Sequence, residues 1–300
     1  MTSHRPNLPP RPRPGRPAPS HARRPTSSRA HRPRFANPGR PASLQAPKPQ
    51  DPSWEHVADW YDTLVSDRGT EFHEQVIIPG VLRLLDIKPR ERVLDLACGQ
   101  GVVSRAIHRA GASVTGVDLS SRLIGMARQR SVRAIDYQVD DIRCLDKVQD
   151  SAFDAAVCVL GLQNVDPVED VFTQVARVLK PGGKFVAVIM HPAFRIPRQS
   201  AWGWEEARKL QYRRVDHYLS PLKIPIDMRP FKAPEKAVTW TYHRPVSSYV
   251  NGLAAVGLLT SALEEWVSHK TTQAGPRARG ENRARAEIPL FLALRAVKIK

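Results

Sequence analysis

The chain has 300 residues, 41% of them hydrophobic, with a formal net charge of +17. That length allows one elaborated α/β domain, and no apolar run approaches the roughly eighteen residues of a membrane span. The charge is uneven, because residues 1–50 hold ten arginines, one lysine and no acid.

Taken in chain order, the first predicted segment is this arginine- and proline-rich stretch, 1–50, which has too little apolar surface to offset the entropy of ordering. It is expected to be a disordered tail. Its proline density rules out an amphipathic presequence helix, and no apolar core of a secretory signal follows Met1, so the expected location is cytoplasmic. Such an arm can hold nucleic acid by counterion release, but a solvated tail, or GC-rich upstream sequence read through a misjudged start, has the same composition. Nucleic acid is therefore a possible partner, not the favoured one. Cys98, Cys144 and Cys158 make neither a disulfide framework nor a metal spacing, and no metal is expected.

The body, 51–300, opens with a helix over 54–65, with Trp54, Val57, Ala58, Tyr61 and Leu64 at helical spacing, and a second over 72–85, bent at Pro79-Gly80. Strands are then expected at 93–96, 113–117, 135–139, 153–160 and 184–190. Helices are expected at 102–110, 121–130 and 167–179, and a turn at 180–183. Residues 192–245 have no clean period but hold three tryptophans, and read as an ordered substrate-covering insertion. A helix at 246–256, a strand at 258–266, a disordered basic turn at 270–285 and a strand at 288–296 complete the chain. The two late strands suggest an antiparallel hairpin at one edge. The predicted fold is a Rossmann-like, seven-stranded, mostly parallel sheet with helices on both faces.

The chemistry concentrates in VLDLACGQG at 93–101, a buried strand running into a glycine-rich turn and a helix, with Asp118 ending the next strand. This unit holds a nucleoside by its ribose hydroxyls. A dinucleotide site wants G-x-G-x-x-G, but Ser104 stands at the third glycine position and Asp95 precedes the loop. A carboxylate there repels a pyrophosphate and suits a ligand with an ammonium and a sulfonium, namely S-adenosylmethionine.

With VDLS at 117–120, VDDI at 139–142, FDAAVCVLGLQNV at 153–165 and LKPGGKFV at 179–186 in the same order, residues 54–298 resemble a class I S-adenosylmethionine-dependent methyltransferase of the small-molecule type. The resemblance implies that Asp95, Ala97, Gly99 and Gly101 line the methionine end, with Asp95 offsetting the ammonium. Asp118 accepts both ribose hydroxyls, unless it only caps the following helix, and Leu119 packs on adenine. Asp141, or its neighbour Asp140, accepts the adenine amine beside the Ile142 amide. Leu160 borders the reacting methyl, and Tyr61 closes over the methionine end or faces the core.

Methyl transfer needs a desolvated, aimed nucleophile, and a general base only if the acceptor stays protonated. His191, at the carboxyl end of the fifth strand, is the first candidate base and His243 the second; each has a packing role as its alternative. Arg195, Arg198 and Arg244 are candidate readers of an anionic acceptor. Trp202, Trp204 and Tyr212 either wall an aromatic pocket or form a satellite core. The expected activity is methyl transfer to a small molecule. The competing readings are an RNA or protein methyltransferase docked by the arm, and a cofactor-binding scaffold without chemistry. No Asn-Pro-Pro-Tyr type string follows the fourth strand, which argues against methylation of a flipped base amine.

Overall fold

Alternating apolar strands and amphipathic helices settle into one wound sheet in the computed structural model, which describes residues 53–228 and 238–299. The tail at 1–50 and residues 229–237 of the expected insertion lie outside the described residues. From Ser53 run α1 (Ser53–His56), α2 (Ala58–Val65), a π-helical turn (His73–Ile77) continuing into α3 (Ile78–Leu85), β1 (Arg92–Leu96), α4 (Val102–Arg109), β2 (Ser113–Asp118), α5 (Ser121–Arg130), β3 (Asp136–Val139), β4 (Phe153–Val159), α6 (Val168–Val178) and β5 (Leu179–Met190). Two hairpins follow, β6 (Ser200–Glu205) with β7 (Leu210–Val215) and β8 (Leu222–Asp227) with β9 (Val238–His243). The chain closes with α7 (Val246–Ala255), β10 (Leu258–Trp266), α8 (Ala278–Glu287) and β11 (Phe291–Lys298).

The sheet order is β10-β11-β5-β4-β1-β2-β3. The first five strands are mutually parallel, while β11 runs antiparallel to both β5 and β10. The expected seven-stranded Rossmann-like sheet is thus what the chain builds. The final strand inserts between β5 and β10, so the late pair forms the expected antiparallel hairpin at one edge of the sheet. Strand order reverses between β1 and β4, which opens the crevice where such sheets hold ligands.

Period-two alternation sends Leu94, Leu96, Ala156, Cys158, Phe185 and Ala187 to a core shared with Phe172 of α6 and Leu253 of α7. Val93, Ala155, Val157, Val186 and Val188 go to the other, with Leu84 of α3, Ile107 of α4 and Ile124 of α5. Asp95 shares Val93's parity, and this places a carboxylate at the margin of an apolar layer.

Local departures from expectation have local causes. Pro79 offers no N–H to the Gln75 carbonyl and crowds it, and the widened π turn ahead of it keeps the helix continuous. The turn at 180–183 sits inside β5 as an irregularity, where pairing jumps from Phe153–Leu179 to Ala155–Lys184. The disordered turn expected at 270–285 is corrected, since it contains the start of α8. Alanine, arginine and glutamate favour helix. Gly280 also lets Trp204 lie on the α8 backbone, where a Cβ would come within 2.8 Å of the indole.

Candidate functional site

β1 and β2 lie side by side and carry two acids to the carboxyl edge of the sheet. The connecting loop is left-handed at Ala97 (φ 54°), Gly99 (φ 56°) and Gly101 (φ 85°). This curl turns the Gly99 amide onto Asp118, whose Oδ2 accepts that N–H at 2.8 Å while Oδ1 accepts the Ser120 N–H at 2.9 Å. The cap of α5 is Ser120, whose Oγ accepts the Leu123 N–H at 3.2 Å. Asp118 is therefore not that helix's N-cap. Burial raises its pKa, and the two amides oppose the rise. Leu119, next in sequence, is 40% exposed and offers an apolar face beside the acid.

Asp95 is 1% exposed and accepts the Ser104 hydroxyl at 2.5 Å. Burial pushes its pKa up to about 7, and the Asp118 charge adds to the rise. The serine that breaks the dinucleotide pattern is thus the hydrogen-bond partner of this buried acid.

The N-terminal helices close over this loop. Glu55 of α1 accepts the hydroxyls of Ser120 and Ser121, and Asp62 of α2 pairs with Arg130 of α5. Tyr61 lies against the loop, its ring 3.6 Å from where a Gly99 Cβ would stand, and edge-on to Trp54. Burial, with the charges of Asp118, Cys98 and Asp95, raises its pKa to about 12. Tyr61 lines a cavity with Val65, His73, Asp95, Ala97, Cys98 and Gln100, so it faces the site and not only the core.

Sequence reasoning missed His73 and Gln100. His73 Nδ1 accepts the Thr70 N–H at 3.2 Å and stands 2.9 Å from the Thr70 hydroxyl, so the neutral ring carries its proton on Nε2. Burial lowers its pKa. Gln100 donates to the Ser66 carbonyl at 2.5 Å and ties the loop to the end of α2. The polar run TEFHEQ around His73 offers no period or motif to single it out.

After β3, Asp141 is held by Arg143: Oδ2 accepts Nη2 at 2.7 Å and Oδ1 the Arg143 N–H at 2.9 Å. Asp140 accepts the Asp141 and Lys147 amides and shapes the turn. Ile142 is buried in the first core, 4% exposed. Leu160 has a left-handed φ of 56° at the end of β4 and donates its N–H to Val188 at 2.7 Å.

A second cavity lies beyond the ends of β4 and β5, lined by Gln163, Met190, Pro192, Arg195, Ile196, Thr241, Tyr242, His243, Arg244 and Tyr249. It separates the two histidine candidates. His191 is 3% exposed, its Nε2 lies 2.7 Å from Glu265 Oε1, and its Nδ1 accepts the Ala193 N–H at 3.2 Å. Both nitrogens are committed and the ring is turned toward β10, so its packing alternative describes it. His243 donates Nε2–H to the Tyr218 carbonyl at 2.7 Å, which leaves the lone pair on Nδ1. Burial lowers its pKa, keeping it neutral near pH 7. Arg198 does not line this cavity and donates instead to the Pro225 carbonyl at 3.1 Å.

The aromatic candidates do not share one wall. Trp202 and Trp204 project to one face of the β6–β7 hairpin, where the guanidiniums of Arg195 and Arg213 both lie over the Trp202 ring and Trp204 packs on α8. Tyr212 pairs with Gly203 and lies on the opposite face. Among the described residues, no group of three or more His, Cys, Asp or Glu is placed to hold a metal, and no helix is long and apolar enough to cross a membrane. Burial raises the thiol pKa of Cys98 and Cys158, which suits inert fillers.

A methyltransferase-domain family model matches residues 94–187. A ubiquinone biosynthesis O-methyltransferase of Xanthomonas oryzae is 33% identical over 135 residues, 44% of this chain and 56% of its own length. The chain thus spans about half the length of the curated relatives it matches. The crystal structure of an S-adenosylmethionine-dependent methyltransferase from Mesorhizobium loti aligns over 73% of this chain and 96% of its own, with TM-score 0.59 and 29% identity. A Haemonchus contortus phosphoethanolamine N-methyltransferase 2 covers 82% of this chain and 58% of its own at TM-score 0.54 and 16% identity, a likeness of fold only.

Proposed function

We propose that this chain, a class I S-adenosylmethionine-dependent methyltransferase by family and fold, transfers the cofactor's methyl group to a nucleophilic atom of a small molecule. The observation that carries this reading is the pair of buried acids at neighbouring strand ends, Asp118 pinned by the loop it faces and Asp95 awaiting a positive charge. S-adenosylmethionine fits both. Asp118 has lone pairs left for two ribose hydroxyls, and Asp95 is a buried carboxylate that a neighbouring ammonium would stabilise in its ionised form. His73 Nε2–H supports a role as donor to the methionine carboxylate, and Tyr61 closes the same end. Leu119 is the adenine platform. Asp141, with the Ile142 amide, is the adenine-edge reader, and its pairing with Arg143 fixes the carboxylate's direction.

When bound, the cofactor supplies an electrophilic methyl carbon on a good leaving group. What remains for the protein is to aim the acceptor and take a proton. Leu160, just beyond the end of β4, borders the reacting methyl, and Gln163 lines the second cavity, where the acceptor binds. His243 Nδ1 is the base we favour there: it has the lone pair that the Tyr218 carbonyl assigns to it, and it is neutral at working pH. An oxygen acceptor is supported by the names of the relatives and by the presence of a base.

The test uses the full chain, methyl-labelled cofactor and an extract of its host. Label entering the low-molecular-weight fraction, and absent when the chain carries Asp118→Ala, supports the reading. Label confined to precipitated RNA or protein would replace the small-molecule acceptor with a macromolecule.

A further inference from the structure

The Arg195 side chain enters the second cavity with no ion pair and no hydrogen bond among the described residues, and its buried Nε lacks any partner. Its guanidinium stacks on Trp202 at 5.1 Å, and Arg213 stacks on the same ring at 5.1 Å. Arg213 is held by neutral groups, the Phe194 carbonyl at 2.7 Å and Ser200 Oγ at 2.8 Å. Burial, then repulsion from Arg213 and Arg285, lowers the Arg195 pKa to about 10. Arg285 also has a buried, unpartnered Nε.

Arg244 comes from the other side of the cavity. It is 6% exposed and pairs with Asp166 at 2.5 Å, and its buried Nη1, on the Tyr249 side, meets no hydrogen-bond criterion among the described residues. Among the described residues, no carboxylate lines this cavity. Withdrawing the Arg195 guanidinium partly from water without a counter-ion is costly, and the like charges of Arg213 and Arg285 add to the cost, whereas Arg244 already has Asp166. An oxyanion in the cavity would offset both and would be recognised by fixed, planar donors.

We propose that the methyl acceptor is a small organic oxyanion whose carboxylate or phosphate is read by Arg195 and by Nη1 of Arg244; the cavity, about 30 Å³, has room for the anionic head and not for the whole acceptor. This rests on the acceptor side of the proposed function. Methyl transfer to a phenolic acceptor of this class breaks the S–CH3 bond and forms an O–CH3 bond. The phenolic proton passes to His243 Nδ1, and neutral adenosylhomocysteine leaves.

Calorimetry on the full chain tests it with three probes, 3,4-dihydroxybenzoate, phenyl phosphate and the neutral methyl ester of the first, each with and without adenosylhomocysteine. At least one anion should bind tenfold or more tightly than the ester, and the tighter anion identifies the group read. Arg195→Met should reduce that preference below threefold while adenosylhomocysteine affinity changes less than twofold, and Arg195→Lys should restore part of it. Equal binding of ester and anions, no anion binding at millimolar concentration, or a preference that survives in Arg195→Met overturns the inference. Failure of adenosylhomocysteine to bind would sink the methyltransferase reading, and the titrations without it keep the anion result separate.

Discussion

Asp95, in its proposed place beside the cofactor's ammonium, should make cofactor affinity depend on pH in a direction fixed by its surroundings. Burial holds its pKa at about 7 in the free protein, against an ordinary value of 3.8 for its type. At about 1.4 kcal/mol for each tenfold change in a protonation equilibrium, the ionised form is disfavoured by roughly 4 kcal/mol relative to water. A ligand ammonium beside it favours the ionised form, so binding below neutrality must release a proton. The sign follows: affinity falls as pH falls. With a pKa of about 7, the ionised fraction drops from about 70% near pH 7.4 to about 10% near pH 6, an affinity loss of about eightfold. Asp118, also raised by burial, steepens the limb further down. On the alkaline side the ligand's own amine loses its charge near about pH 8, so the profile should peak between the two. Calorimetry with adenosylhomocysteine across this range, on wild type and Asp95→Asn, separates the limbs. The variant should bind more weakly at pH 7.4 and lose the limb between pH 7.4 and 6. A flat wild-type profile, or an acid limb that persists in Asp95→Asn, would refute the assignment.

Asp118→Ala removes the proposed ribose acceptor and strands the Gly99 and Ser120 amides, and should weaken cofactor binding by roughly 2–4 kcal/mol in the same titration. His243→Gln keeps a donor for Tyr218 but not a base; kcat for a phenolic acceptor should fall by on the order of a hundredfold while cofactor affinity holds. His191→Ala should act on stability instead, lowering the unfolding midpoint through the lost Glu265 and Ala193 contacts, with near-normal turnover in the folded fraction. Gly161→Ala would set a Cβ 2.7 Å from Ala97 Cβ and 2.8 Å from Cys158 Sγ, and should cost about 1–3 kcal/mol in denaturant unfolding.

What is legible in the chain alone follows the range of the forces involved. The wound sheet is legible because apolar runs, Gly99, Gly101 and the acids ending β1 and β2 act within one βαβ unit. The helix that begins inside 270–285 is not, because ARGENRARAE has too little apolar surface to suggest burial. It folds against Trp204, more than seventy residues away in the chain. The same distance hides Glu265 from His191, which makes a structural histidine resemble a base. The two hairpins between 200 and 243 are hidden because their short strands are polar and aromatic on both faces. His73 and the arginine cluster become visible only when α3, β7 and α8 are brought to their places.

The hold of the Gly99 amide on Asp118 makes the sugar end and the amino-acid end of the proposed cofactor site a single mechanical piece. A ligand arriving there finds a carboxylate whose rotamer is already chosen and a loop already curled, so little freedom is surrendered on docking. Damage to either end should then be felt at the other: loosening the bend would blur ribose recognition as surely as removing the acid.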